Sequence, residues 1–121
     1  MTWSYAQANG QMSRDGEPVA TGYSGAGEGK NNPAMQDIHN VGPIPRGNYT
    51  IEAPVDTKTH GPYVMWLVPD PANEMEGRSA FGIHGDSVVA PGTASEGCVI
   101  MPRAIREQIW NSGDTNLEVT A

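Results

Sequence analysis

The stretch NYTIEAPVDTKTHGPYVMWLVP, residues 48–69, decides the fold class of this chain. Its two halves, NYTIEAPV and PYVMWLVP, are rich in β-branched and aromatic residues and are bounded by Gly and Pro. Such composition suits a pleated, half-buried surface, so both halves read as strands.

The flanks read the same way. Upstream, TWSYAQANGQMSRDGEPVATGYSG carries two hairpin signals, Asn9-Gly10 and Asp15-Gly16, each offering the positive-φ residues that a tight β-turn needs. Trp3, Tyr5, Met12 and Val19 would share one apolar face. Gly22 to Asn32 reads as a flexible surface loop, placed to act as a lid over a cleft. Asn32-Pro33 reads as the cap and first turn of a short helix ending near His39, and GPIPRG as a rigid connector. Downstream, RSAFGIHG is a third strand. MPRAIREQIWNSG is a helix, with Pro102 at its first position, Ile105 and Ile109 on one face and Gly113 at its end. NLEVT is a final strand.

With 15 Gly and 10 Pro, the chain favours many short elements joined by turns. At 121 residues it is long enough to bury a core without disulfides or a structural metal. Residues 1–121 are therefore expected to form one mainly β domain, a compact sandwich or barrel-like fold with one or two short helices.

Charge excludes several functions. The formal net charge is −7, and no Lys/Arg cluster offers the electrostatic footprint of nucleic-acid binding. No run of 18 apolar residues predicts membrane insertion, and the N-terminal stretch lacks the basic and apolar regions of a Sec leader. GAGEGK fails as a phosphate loop, since Ser24 and Asn31 stand where Gly and Ser or Thr are required. His39, His60 and His84, with Asp37, Asp56 and Asp86, show no metal-ligand spacing, so no metal or cofactor is expected. His39 and His60 read as ordinary polar loop residues.

The chemistry sits in FGIHGDSVVAPGTASEGCVI, residues 81–100, which holds the single cysteine. A thiol needs a neighbouring imidazole or oriented backbone dipoles to become a nucleophile at neutral pH. His84, at a strand end, lies far enough before Cys98 for a loop to bring the two together. Gly97 lets backbone approach a substrate carbonyl and leaves N–H groups for an oxyanion, and Ser95 could orient or donate into the same place. The competing view makes Cys98 a small core residue and His84 a satisfied polar one; the Gly and polar neighbours of both favour the reactive pair.

IHGD followed by SEGCVI resembles the active-site signature of L,D-transpeptidases, in which His precedes a Ser-X-Gly-Cys element. GYSG, NNP, VGPIPRGNYTI and GRSAFGIHGD extend the resemblance to the small L,D-transpeptidase effectors that type VI secretion systems deliver into rival bacteria. The resemblance implies Cys98 as nucleophile, His84 as base, the Gly85 carbonyl as third member of the triad, and oxyanion N–H groups from Gly97 and Cys98. The family usually has His before the Gly-Cys pair and Arg or Asn two residues after the cysteine, where this chain has Glu96 and Ile100. Arg78 and Arg103 are the available carboxylate binders, with Asp86 and Glu96 as further substrate contacts. The implied substrate is the tetrapeptide stem of peptidoglycan, cut before its terminal D-Ala, with hydrolysis, D-amino-acid exchange or cross-linking set by the acceptor. An immunity protein as partner, synthesis in the cytoplasm and action in the target-cell periplasm follow from the same resemblance. A sortase-like transpeptidase, a non-catalytic module binding cell-wall peptide and a redox-sensing thiol are the alternatives.

Overall fold

The computed structural model describes residues 2–121. In chain order these form β1 (Trp3–Ala6), β2 (Gln11–Arg14), β3 (Glu17–Thr21), β4 (Tyr23–Ser24), β5 (Gly47–Ile51), β6 (Val55–Thr57), β7 (Gly61–Pro69), β8 (Gly82–His84), β9 (Val99–Ile100), helix α1 (Arg103–Asn111) and β10 (Asn116–Thr120). The strands follow one path, β3-β2-β1-β10-β5-β7-β8-β9-β4, with β6 added alongside β7. Two pairings are parallel, β1 with β10 and β8 with β9; the others are antiparallel.

The two ends of this path, β3 and β4, are separated in the chain by Gly22 alone. The sheet therefore curls back on itself, in keeping with the expected mainly β, barrel-like architecture. Gly22 is required at that closure, because a Cβ there would overlap the carbonyl oxygen of Ile100. Trp3 and Tyr5 of β1, Ile51 of β5, Met65 of β7, Ile109 of α1 and Leu117 of β10 meet in one core cluster, all nearly inaccessible to solvent. The long strand β7 couples the two halves: its end pairs with β5 and its middle with β8.

Several local expectations are corrected. Asp15 and Gly16 both take positive φ, as a tight hairpin turn requires, whereas at the other signal only Gly10 does. There the chain makes a wider connection, closed by the Gly10 amide on the Ala6 carbonyl and by Asn9 Oδ1 accepting from the Gln11 amide. The short helix before His39 is a single 3-10 turn, Pro33–Met35, with the Asn32 side chain accepting from the Ala34 amide. RSAFGIHG contracts to Gly82–His84: Arg78 turns inward to donate to carbonyls and Ala80 adopts φ 64°, which breaks an extended run. Pro102 caps α1 from outside its first turn.

The Gly22–Asn32 segment is tied down, contrary to the lid expectation. It contributes β4, a 3-10 turn at Gly27–Gly29 and the buried Ser24, and its amides at Ala26 and Asn31 donate to Val41 and Ser24. It forms a platform beneath the cysteine turn.

Candidate active site

Parallel pairing of β8 with β9 sets Ile83 opposite Val99 and His84 opposite Ile100. Continuing that register, Cys98 falls beside Gly82. Alternation along a strand then puts the side chains of 84 and 98 on one face. One ligand-capable nitrogen of His84 and the sulfur of Cys98 lie within 4.8 Å of each other. Both residues are buried, at the floor of an open cleft of about 900 Å³.

The turn carrying the cysteine is fixed by three buried side chains. Arg78 donates to the Glu96 carbonyl (3.1 Å), Ser24 to the Gly97 carbonyl (2.8 Å) and Ser95 to the Cys98 carbonyl (2.6 Å). Ser95 Oγ also accepts from the amides of Gly25 (2.9 Å) and Gly97 (3.1 Å). Ser24 Oγ accepts from the Ile44 amide at 2.9 Å, which joins the GPIPRG connector to the same platform. Gly97 has φ 140°, and a Cβ there would stand 2.6 Å from Arg78 Nη2 and 2.7 Å from Phe81 Cε1. Three consecutive carbonyls thus have dedicated donors, so the backbone at the cysteine is preorganised.

His84 donates from Nδ1 to the Gly85 carbonyl at 2.9 Å, which leaves Nε2 unprotonated in the neutral ring. Burial holds its pKa below the ordinary histidine value; the Gly85 hydrogen bond opposes this, and His60 and Arg106 reinforce it. Burial pushes the Cys98 thiol up; the Gly82 amide and Arg78 favour the thiolate, while Glu96 disfavours it. The resting pair is therefore neutral thiol and neutral imidazole.

The other residues singled out in the sequence fall as follows. Arg78 is buried and its guanidinium donates to the carbonyls of Gln36 (2.7 Å), Pro43 (2.8 Å), Gly42 (3.0 Å) and Glu96 (3.1 Å). Its four terminal N–H groups are turned onto these carbonyls, so it braces the cysteine turn from the cleft wall. Arg103 is exposed on α1, paired with Glu107 at 3.0 Å and stacked over Tyr63, outside the cleft lining. Asp86 organises the loop after β8: Tyr23 Oη donates to it at 2.5 Å, as do the amides of Ser87 and Gly92. Burial works against its ionisation, yet these hydrogen bonds together hold its pKa below the usual carboxylate value. Glu96 lies on the cleft rim with an exposed side chain. Ile100 is buried in β9, so no polar side chain reaches the cleft from that position.

Three residues were missed. His60 enters the cleft from the β6–β7 turn with its ring centroid 4.9 Å from that of His84. Arg106 is buried and donates to the carbonyls of Met101, Pro62 and Tyr63, locking α1 against the start of β7 beside Gly85. Tyr23 receives the Ala94 amide at 2.9 Å while donating to Asp86, which pins both sides of the loop between His84 and Cys98. The only sequence signal for His60 is its place just before Gly61, between the two best predicted strands. Nothing in the sequence distinguishes a buried Arg106 from a solvated one.

A family model, the Tlde1 domain, matches residues 19–120. No curated protein matches the chain. Among solved structures it is similar to an L,D-transpeptidase (Yku) from Stackebrandtia nassauensis, with a TM-score of 0.55 at 14% identity, covering 99% of this chain and 55% of that one. The chain thus spans about half the length of that protein, and the likeness establishes the fold. With a family model covering residues 19–120, most of its length, the chain belongs to the Tlde1 domain family.

Proposed function

We propose that the protein is a cysteine-dependent L,D-carboxypeptidase and D-amino-acid exchange enzyme acting on the tetrapeptide stems of peptidoglycan. The observation that carries this reading is the Cys98 thiol beside His84, whose Nδ1 is committed to the Gly85 carbonyl. His84 takes the thiol proton as sulfur attacks the carbonyl of the third stem residue. The tetrahedral oxyanion is stabilised by the Cys98 amide; the Gly97 amide is directed to Ser95 and is withdrawn from that role. Collapse of the intermediate breaks the bond to D-Ala, and the imidazolium of His84 gives its proton to the leaving amine. The thioester on Cys98 then transfers to water or to a free D-amino acid, with His84 again as base, and the thiol is restored.

Cross-linking would need room for a second stem as acceptor. Trimming and exchange both remove the donors from which a rival wall is cross-linked, which suits a toxin active in the target periplasm and neutralised by an immunity protein. Substrate contacts from Glu96 on the rim remain part of this proposal. A purely peptide-binding module would not need a neutral imidazole held in one tautomer beside a thiol.

The test is incubation of purified protein with tetrapeptide muropeptides, followed by mass spectrometry, with and without a labelled D-amino acid. Loss of D-Ala in wild type and its absence in Cys98→Ala and His84→Ala are expected. An intact tetrapeptide in the wild-type reaction, or trimming by Cys98→Ala, would overturn the assignment.

A further inference from the structure

We propose that His60, His84 and Cys98 form a zinc-binding site that caps the nucleophile, so that Zn²⁺ reversibly silences the enzyme. The silencing rests on the active-site reading above; the binding does not depend on it.

One ligand-capable atom from each of the three residues lies within 4.8 Å of the other two. Around tetrahedral zinc, with Zn–S about 2.3 Å and Zn–N about 2.0–2.1 Å, ligand atoms stand about 3.3–3.7 Å apart. The set therefore needs to close by roughly 1 Å, within the reach of small side-chain rotations. Each imidazole already has the outer-shell partner that a zinc ligand uses. His84 Nδ1 is committed to the Gly85 carbonyl at 2.9 Å, and His60 Nδ1 lies 2.8 Å from Thr59 Oγ1. Nε2 of each ring is left for a ligand.

A thiol–imidazole pair requires a single histidine, so His60 is surplus to the proton transfers. It is nonetheless placed deliberately: the Thr57 hydroxyl accepts from the His60 amide at 2.8 Å and donates to the Gly61 carbonyl at 3.2 Å, which fixes the turn. His60 also meets the Trp66 ring edge-on, with centroids 5.4 Å apart.

Two cations face the cluster, Arg78 from the Cys98 side and Arg106 from the His84 side. Their guanidinium groups are turned onto backbone carbonyls, while Glu96 and Asp86 supply negative charge around the cleft. Two imidazoles and one thiolate match the mixed nitrogen and sulfur preference of zinc, and the open cleft leaves the fourth position for water. On binding, the S–H bond of Cys98 breaks as the Zn–S bond forms, and the proton passes to solvent. With its lone pairs on the metal, the sulfur cannot attack a carbonyl.

The test uses the chelator-treated, full-length protein, titrated calorimetrically with Zn²⁺ and spectroscopically with Co²⁺. Binding of one ion per chain, a thiolate-to-cobalt charge-transfer band and slowed alkylation of Cys98 are expected. His60→Ala and the turn-preserving His60→Gln should each weaken binding at least as much as loss of an outer-shell partner does, about 10–100-fold. Cys98→Ser should abolish the charge-transfer band. Absence of saturable wild-type binding, or His60 variants of unchanged affinity and native circular dichroism, would overturn the proposal. Tetrapeptide trimming is assayed separately in chelator: trimming without zinc binding overturns only the zinc site. Zinc binding without trimming leaves the site standing and overturns the enzymatic reading.

Discussion

Replacing Arg78 by Lys separates a brace from a substrate binder. The guanidinium donates to four carbonyls, those of Gln36, Pro43, Gly42 and Glu96. A lysine keeps the charge, but its single ammonium has a different donor geometry and can serve about two of them. Charge-assisted hydrogen bonds each contribute about 1.5–3 kcal/mol net, so losing two costs about 3–6 kcal/mol before water and backbone relaxation recover part of it. We expect a net loss of about 2–4 kcal/mol, and so a fall in Tm on the order of 10 °C for a domain of this size. Because one of the four bonds holds the Glu96 carbonyl beside the cysteine turn, kcat should fall while KM for tetrapeptide stays within about twofold. Thermal unfolding by circular dichroism and steady-state trimming give both numbers. A Tm within about 2 °C of wild type together with a large rise in KM would refute the reasoning. It would make Arg78 the carboxylate contact that its sequence position suggested.

Four further outcomes follow from the cysteine turn and from the histidine beside it. Ser95→Ala removes one donor and the acceptor of two amides, so it should destabilise by about 1–3 kcal/mol in urea unfolding and lower kcat; unchanged unfolding would contradict the assigned bonds. Gly97→Ala forces a methyl against Arg78 and Phe81 at φ 140°, and should cost about 2–4 kcal/mol by the same assay, with wild-type stability the contrary result. The pKa of His84 is lowered, so the imidazole stays a neutral base below the usual histidine value and the acid limb of kcat/KM should lie under about 6.5. The raised pKa of Cys98 puts the alkylation midpoint of the free enzyme above about 8.5, and a midpoint near 6 would reveal a preformed ion pair instead.

What could be read from the sequence was what neighbouring residues decide. The strands around residues 48–69, the Asp15-Gly16 turn and the helix after Pro102 are set by local composition and turn chemistry and are present, although the expected strand 48–55 breaks at 52–54 between β5 and β6. The pairing of His84 with Cys98 was accessible because glycine and polar neighbours marked both. The approach of His60 depends on the antiparallel register of β7 against β8, with Met65 opposite Ile83, and on which end of β7 then lies beside His84. No local pattern encodes that register. The surroundings of the arginines were hidden for a related reason: Arg78 and Arg106 donate to carbonyls from distant segments, whereas Arg103 pairs with Glu107 four residues along its own helix. The Gly97 amide was offered to an oxyanion because glycine frees the backbone, yet Ser95 takes it.

The central claim is that Cys98 carries the acyl group. Acid-quenched reactions of wild-type protein with tetrapeptide, examined by intact-protein mass spectrometry and peptide mapping, should show one adduct with the mass of the acylated tripeptide stem, on the peptide containing Cys98 and labile to hydroxylamine. Trimming with no such adduct under rapid quench, or an adduct on another residue, would contradict it.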